Sequence, residues 1–257
     1  TIENNNVPKY IIGESYFIEG VKYDPQENYN YIENGLATFY GSDLHKKRTA
    51  NNSFNNVTEL LGRHKTLPLP SIVMITNLEN GLSLMIKIND RHNDNSSIIQ
   101  VSRKVAQLLR FYKTGIARVK IEILPDPSKQ LKIVTESMNS DNFNNTLLKV
   151  PTEEVSITDL GETILEEEDK ISTYEDPIEL KYENVSKNNL FVKTIDFDSY
   201  DEAQKLISSL EKVFKTTIEN DNGKYIIIFG PLKNEEANKL FSTLIYKGYK
   251  NTEIIIE

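Results

Sequence analysis

The side chains that could carry out acid–base chemistry are concentrated between residues 35 and 92. All three histidines, His45, His64 and His92, lie there, and so does Asp90. A carboxylate and an imidazole can both exchange protons near neutral pH. The histidines lack a metal-ligand spacing such as HxxxH, and the chain has no cysteine. The sequence therefore predicts no metal site, no cofactor and no thiol chemistry.

The elements that must position these side chains are short strands. Apolar runs alternate with turn residues from about residue 10 to 125. The runs at 71–76, 83–88 and 118–124 predict strands, and 102–110 predicts one short helix with Ser102 as its N-cap. Asn80-Gly81 predicts a hairpin turn with positive φ at both residues. Many short strands with one helix are typical of a small closed β-barrel.

An acidic segment follows this region. Residues 151–183 contain twelve acidic and two basic residues, so the segment carries −10 and the rest of the chain +2 of the total of −8. Nucleic acid is therefore not an expected partner. The run 166–169 is interpreted either as a cation or basic-partner site or as part of a solvated, self-repelling linker. We predict a linker over 126–187 and loose coupling of the units on either side.

A second unit begins at residue 188. The pattern predicts strands at 190–195, 216–219, 225–229 and 252–256 and amphipathic helices at 199–213 and 234–246. Asn222-Gly223 predicts the turn between the two central strands. The order βαββαβ favours a four-stranded antiparallel sheet backed by two helices.

Five motifs in the first unit keep a recognisable order and spacing. They are GLATFYG at 35–41, RTAN at 48–51, HKTLPLP at 64–70, TNLENG at 76–81 and INDR at 88–91. Together they resemble the rare lipoprotein A (RlpA) family over residues 10–125. The resemblance implies a six-stranded double-psi β-barrel and an endolytic lytic transglycosylase that acts on peptidoglycan glycan strands without stem peptides. Such a reaction needs a carboxylic acid to protonate the leaving oxygen, after which the C6 hydroxyl of the sugar attacks and leaves a 1,6-anhydro end.

The resemblance assigns roles to particular residues. Asp90 matches a functionally important carboxylate of the family and His64 matches its histidine. Ser53 stands where the family has its catalytic glutamate, and a serine hydroxyl is too weak to be a general acid near neutral pH. Asn56 and Gln100 stand at two further acidic positions of the family.

Each candidate also has an alternative interpretation. Asp90 is an acid/base or oxocarbenium stabiliser, or a barrel-closing carboxylate paired with Arg91 or with backbone amides. His64 orients a carboxylate or the sugar, or is a hydrogen-bonded barrel histidine. Tyr40 and Phe39 stack on sugar faces or belong to the core. Asn51 and Arg91 are further candidates for substrate binding, whereas His45 and His92 are expected at the surface.

The second unit resembles a SPOR domain, which binds glycan strands lacking peptides. The matching residues are Phe197, Tyr225, Gly230-Pro231 and Gly248-Tyr249. The resemblance implies that Lys193 or Tyr225, on the exposed sheet face, contacts glycan. The alternative is that both are ordinary surface residues.

Three hypotheses follow for a barrel at 10–125, an acidic linker at 126–187 and a SPOR domain at 188–257. The first is a periplasmic transglycosylase that uses Asp90 with His64 in support and Ser53 lining the site. The second is a protein that grips glycan without cleaving it, and the third is a septal scaffold acting through the SPOR domain. We expect denuded peptidoglycan as the partner, export by a signal peptide and, if the protein is a lipoprotein, a lipid anchor before Thr1. The sequence leaves the oligomeric state open.

Overall fold

The computed structural model describes residues 7–139, 178–186 and 188–257. Its first unit is a barrel preceded by a small hairpin, β1 (Tyr16–Ile18) with β2 (Val21–Tyr23). The barrel strands are β3 (Ile32–Phe39), β4 (Leu61–His64), β5 (Ser71–Asn77), β6 (Leu82–Asp90), β7 (Ile99–Val101) and β8 (Ile116–Ile123). A 3₁₀ turn, Ser42–Leu44, follows β3.

The six strands close on themselves. Their order is β4-β7-β3-β8-β5-β6, and β6 pairs again with β4. The pairs β3–β7 and β4–β6 are parallel and the others antiparallel. At the closing pair, a Cβ on Gly62 would come within 2.8 Å of Ile88 Cδ1. A side chain at this position would push on the buried ends of Ile86 and Ile88, so the glycine leaves room for core side chains. The predicted six-stranded closed barrel is confirmed.

The local predictions for the barrel are mostly confirmed. The predicted strands correspond to β5, β6 and β8, and the helix to α1 (Arg103–Leu108), whose N-cap Ser102 accepts a hydrogen bond from the Val105 N–H. The prediction for the β5–β6 turn is wrong in detail, because only Gly81 has positive φ. Asn77 starts the turn early by accepting the Glu79 N–H on its side chain, so the loop has four residues instead of two.

The predicted linker is wrong at both ends. Residues from 126 onward belong to a 14-residue helix, α2 (Pro125–Met138), which packs on β5 through a hydrogen bond between Ser128 Oγ and the Ile72 N–H (2.9 Å). Pro125 and Pro127 occupy the first helical turn, where a missing N–H costs nothing. A short strand, β9 (Lys181–Tyr182), pairs with the start of β6. Most of the acidic segment, including 166–169, lies outside the described residues.

The second unit has the predicted βαββαβ order. Its strands are β10 (Leu190–Phe197), β11 (Thr216–Asp221), β12 (Lys224–Phe229) and β13 (Thr252–Ile256), in the sheet order β11-β12-β10-β13. Its helices are α3 (Tyr200–Ser208) and α4 (Asn234–Tyr246). Asn222 and Gly223 both have positive φ, as predicted for this turn. Among the described residues, no helix combines the length and apolar character needed to cross a membrane.

The two units are in contact, contrary to the expected loose coupling. Leu36 of β3 and Ile116 of β8 are buried in the same apolar cluster as Leu190 and Leu240 of the second unit. The Asn234 amide donates to Glu79 Oε1 across the contact (2.6 Å). The acidic composition between the units gave no information about these surfaces, because the residues that meet lie on strands and helices far from it in sequence.

Candidate active site

Asp90 ends β6, and its carboxylate is surrounded by four hydrogen-bond donors. Oδ1 accepts from the backbone N–H groups of Ala50 (2.8 Å) and Arg91 (2.9 Å). Oδ2 accepts from the Asn55 amide (2.9 Å) and from Nε of Arg63 (3.0 Å). Asp90 is only 7 % exposed. Three neutral donors and one guanidinium thus fix both oxygens of a nearly buried carboxyl group.

Arg63 reaches Asp90 because the barrel closes there. Residues 63 and 90 are register partners in the parallel β4–β6 pair. Nη1 of Arg63 also donates to Oε1 of Gln100 on β7 (2.8 Å). One guanidinium therefore links three strands at the end of the barrel. The sequence interpretation missed Arg63, because the pairing of β4 with β6 is not visible in any local pattern.

The guanidinium of Arg91 serves a different purpose from the one expected. It donates to the carbonyl oxygens of Ile12, His64 and Leu67. Burial lowers the pKa of Arg91 to about 10. The predicted pairing of Asp90 with Arg91 is limited to the backbone N–H of Arg91, which donates to the Asp90 carboxylate. The two side chains do not pair because adjacent residues of an extended chain point to opposite sides. In this structure the Arg91 side chain ties loops together and is not free to bind a ligand.

Ser53 lies beside Asp90 in a network of small polar side chains. Its Oγ donates to Oδ1 of Asn51 (2.6 Å), which also accepts from Thr49 Oγ1 (2.8 Å). The Asn89 amide donates to Ser53 Oγ (3.1 Å), and Asn89 directly precedes Asp90. The structure thus brings Asn51, Ser53 and Asp90 together, as the motifs predicted. Asn51 is 2 % exposed, so its side chain holds the loop in shape.

The loop that carries Ser53 bends at Asn52. This residue has a φ of 69°, in the left-handed region. Asparagine tolerates that region better than most residues. Asn52 therefore lets the chain turn sharply just before Ser53.

Tyr40, directly after β3, lies near the Asp90 carboxylate. It is 4 % exposed, and its hydroxyl has no hydrogen-bond partner among the described residues. Burial raises its pKa, as do the nearby negative charges of Asp90 and Glu59, while Arg63 opposes them. The ring offers no open face to a sugar in this conformation. Phe39, the other aromatic candidate, packs against Tyr112, with 5.0 Å between ring centroids.

An exposed aromatic side chain, Phe54, directly follows Ser53. It is 45 % exposed, and the Arg48 guanidinium lies 5.4 Å from its ring centroid. A ring with an open face next to a polar cluster is suited to stacking on a sugar. The sequence interpretation missed Phe54 because no motif included it.

His64 lies outside the Asp90 cluster. Its Nδ1 accepts from the N–H groups of Thr66 and Leu67 (both 3.1 Å), so its proton resides on Nε2, which donates to the Tyr31 hydroxyl (2.9 Å). Burial holds the pKa of His64 well below its usual range, so the ring is neutral. Tyr31 in turn donates to Glu33. Among the described residues, His64 is connected toward Asp90 through its carbonyl oxygen, which accepts a hydrogen bond from the Arg91 guanidinium.

The expectation of a surface position for His92 is wrong. His92 is 3 % exposed, with Nε2 3.3 Å from the Ile98 carbonyl oxygen, because the β6–β7 loop folds over it. Burial lowers the pKa of His92 to about 3. His45 is partly exposed, and its Nδ1 accepts from the Val57 N–H (3.4 Å).

Comparison with known proteins identifies the barrel. Residues 32–121 match the family described as Lytic transglycolase. A Rickettsia bellii protein named Endolytic peptidoglycan transglycosylase RlpA is 40 % identical over 145 residues, covering 54 % of this chain and 63 % of that protein. The barrel is thus similar to proteins named RlpA. A Pasteurella multocida protein of the same name is 29 % identical over 253 residues, covering 93 % of this chain and 82 % of that protein.

Coverage of the relatives varies. A Rickettsia felis protein, also named Endolytic peptidoglycan transglycosylase RlpA, is 40 % identical over 125 residues, which is 47 % of this chain and 55 % of the relative. The chain thus spans between 39 % and 63 % of the length of the Rickettsia relatives that it matches.

The three positions at which this chain lacks an acid of the RlpA pattern all face charged or polar partners. Ser53 accepts from Asn89, and Gln100 accepts from Arg63. The amide of Asn56 donates to Oε1 of Glu59 (2.6 Å). Neutral residues have thus replaced acids without leaving these positions unbonded.

Lys193 and Tyr225 lie on the second unit, away from Asp90, and on opposite faces of its sheet. Lys193 alternates with buried Val192 and faces away from the helices, where it pairs with Glu253 (3.1 Å). Tyr225 shares the helix side of β12 with Ile227, and its ring meets Tyr200 of α3 at 6.1 Å. The predicted common face is wrong because Lys193 pairs with Ile228, whereas Tyr225, three residues before Ile228 on β12, points to the other side of the sheet. In the described part of the chain, no group of three or more acidic, histidine or cysteine side chains could hold a metal ion.

Proposed function

We propose that the chain is an endolytic lytic transglycosylase that acts on peptidoglycan glycan strands lacking stem peptides and leaves 1,6-anhydro-MurNAc ends. The observation that carries this proposal is the fixed carboxylate of Asp90 beside Asn51 and Ser53, in a barrel that matches the family described as Lytic transglycolase. The named activity of the relatives agrees with it.

The geometry around Asp90 suits the stabilisation of positive charge. Cleavage of a glycosidic bond passes through an oxocarbenium-like transition state. A carboxylate held by four donors needs no rearrangement as that charge develops, which is the form of catalysis that preorganised groups provide. Phe54, next to Ser53 and open to solvent, is placed to stack on a neighbouring sugar ring.

A second candidate function is glycan binding without cleavage. It is favoured by the serine at position 53 and by Arg63, whose ion pair with Asp90 and bond to Gln100 occupy groups that a catalytic acid would need free. In that case the barrel would hold the strand through the same loop and through Phe54.

The second unit is proposed to be a SPOR domain that binds denuded glycan. Its helix-free sheet face carries Phe191, Lys193, Ile195, Ile226 and Ile228, all half-buried. An apolar strip with one cation at its centre is suited to the faces and hydroxyls of sugars. Since peptidoglycan is the proposed partner, we place the protein in the periplasm, with an outer-membrane lipid anchor as part of the proposal.

Digestion of sacculi stripped of stem peptides tests the activity. The purified chain is expected to release soluble glycans with 1,6-anhydro ends, detected by mass spectrometry, and Asp90→Asn is expected to lower the rate at least about a hundredfold. Normal release by Asp90→Asn would remove Asp90 from the mechanism. Retained binding with no release, together with a gain of release in Ser53→Glu, would favour the binding function.

A further inference from the structure

We infer that Glu59 is the carboxyl group that exchanges protons with the glycan in this chain. The inference rests on the proposed transglycosylase function and deepens it. Cleavage requires a group that can give a proton to the leaving oxygen. Ser53 has no such proton to give near neutral pH, so another carboxyl group near Asp90 is required.

Glu59 is tied to Asp90 through two consecutive asparagines. The amide of Asn55 donates to Asp90 Oδ2 (2.9 Å), and the amide of Asn56 donates to Glu59 Oε1 (2.6 Å). Consecutive Cα atoms are about 3.8 Å apart. The two carboxyl groups are therefore held by neighbouring points of one short loop, directly after Ser53 and Phe54.

The backbone also holds Glu59 against the end of β7. Its carbonyl oxygen accepts from Ser102 Oγ (2.5 Å), while Tyr40 N–H donates to the neighbouring Val101 carbonyl (3.0 Å). The phenol of Tyr40 lies close enough to both carboxyl groups that Glu59 and Asp90 each raise its pKa. The Tyr40 phenol thus lies near both the Glu59 and the Asp90 carboxyl groups.

The surroundings of the two groups differ in a way that separates their roles. Asp90 is 7 % exposed, and both its oxygens accept hydrogen bonds, so a proton on it would displace one of them. Glu59 is exposed, and the amide of Asn56 donates to it. Asp94, in the β6–β7 loop, is half-buried and accepts from Ser96 and Ser97. Of Asp90, Asp94 and Glu59, Glu59 is the most exposed to a glycan.

The step balances with one carboxyl group. Protonated Glu59 gives its proton to the glycosidic oxygen as the C1–O4 bond breaks, and the bonding electrons leave with that oxygen. The C6 hydroxyl oxygen of the same sugar forms the new bond to C1. Its proton passes to the Glu59 carboxylate, which restores the starting state without water. Asp90, fixed by its donors, faces the positive charge in between.

The test compares Glu59→Gln with Glu136→Gln in the full chain. Glu136 is exposed on α2 and provides a matched loss of one carboxylate. We expect Glu59→Gln to release 1,6-anhydro products about 10²- to 10⁴-fold more slowly. Binding to stripped sacculi and the urea midpoint should stay unchanged, and Glu136→Gln should match the wild type. A folded Glu59→Gln that retains the wild-type rate would overturn the inference while leaving the proposed function in place.

Rescue separates chemistry from folding. Sodium formate is expected to restore part of the rate of Glu59→Ala, and sodium chloride at equal concentration is not. A folded Glu59→Ala that formate does not accelerate would count against Glu59. A wild-type chain that releases no product would remove the proposed function and this inference with it.

Discussion

Arg63 Nε lies 3.0 Å from Asp90 Oδ2 across the strand pair that closes the barrel. The two side chains are only 16 % and 10 % exposed. This ion pair joins the two strands that close the barrel, β4 and β6, and it also holds the Asp90 carboxylate of the candidate site. Removing one partner leaves the other charge without its ion-pair partner, which is costly in a nearly buried position.

Arg63→Met is therefore expected to lower the free energy of unfolding by about 3 kcal/mol. Urea denaturation measures this, and Lys113→Met, at an exposed position, is the matched control. A loss below about 0.5 kcal/mol, the usual range of surface substitutions, would mean that the pair does not stabilise the seam.

Phe54→Ala is expected to weaken glycan binding without slowing the chemical step. Loss of the contact between a partly exposed aromatic ring and the sugar is expected to cost about 1.5 kcal/mol of binding free energy, which corresponds to about a tenfold rise in KM. Kinetics on stripped glycan strands separate KM from kcat. Phe17→Ala removes a similarly exposed ring on the β1–β2 hairpin and should leave both constants unchanged. An equal effect of the two variants would contradict a specific role for Phe54.

His92 should make the protein less stable in acid. Its pKa is lowered to about 3 in the fold by burial, whereas the unfolded chain has an ordinary value near 6.5. The unfolded state therefore binds more protons as pH falls below 6.5, and the stability present above that pH is lost down to about pH 3. The slope from this one group is about 1.4 kcal/mol per pH unit.

Urea midpoints of the wild type and His92→Gln between pH 7 and 4.5 provide the measurement. The variant should lose stability less steeply, although it starts from a lower value at pH 7. Carboxyl groups far from His92 titrate alike in both proteins and cancel, whereas Asp94, whose pKa is lowered in part by the charge of His92, belongs to the measured difference. Parallel curves would show that the buried ring takes up its proton without unfolding.

Leu36 should govern the contact between the two units. It is fully buried, on a barrel strand but within the apolar cluster of the second unit. Leu36→Ala is expected to cost about 2–5 kcal/mol and to raise amide hydrogen exchange in β13, which packs on β3. Leu84→Ala, inside the barrel core, is the control and should affect β13 less. Unchanged exchange in β13 would mean that the units hold together without this contact.

The sequence was informative where a motif keeps its partners close along the chain. Asn51, Ser53 and the Asp90 region meet as predicted because the loop residues bond to one another and to the end of β6. Arg63 could not be predicted, because a parallel pair between β4 and β6 has no local signature. The side of Tyr225 was misassigned because the face of Lys193 relative to Tyr225 depends on the pairing of Lys193 with Ile228, a cross-strand register that no local pattern shows.

Helix α2 shows a different limit. The sequence interpretation assigned residues 126–138 to a linker, yet Pro125 and Pro127 both fit the first turn of a helix there. Its presence also depends on the Ser128 contact with β5, which tertiary structure supplies.

The position of β9 shortens the stretch of chain that connects the barrel to the second unit. The chain leaves the barrel at α2 and returns to it at β9, where Glu183 bonds to Thr76 and Lys120. Only residues 184–189 then separate the barrel from β10. Six residues reach at most about 20 Å, against roughly 200 Å for the sixty-two residues from 126 to 187. If the second unit binds a glycan strand, the barrel can reach only the few sugars next to the bound ones. Its cleavage sites should then cluster within a short stretch of the glycan bound by the second unit.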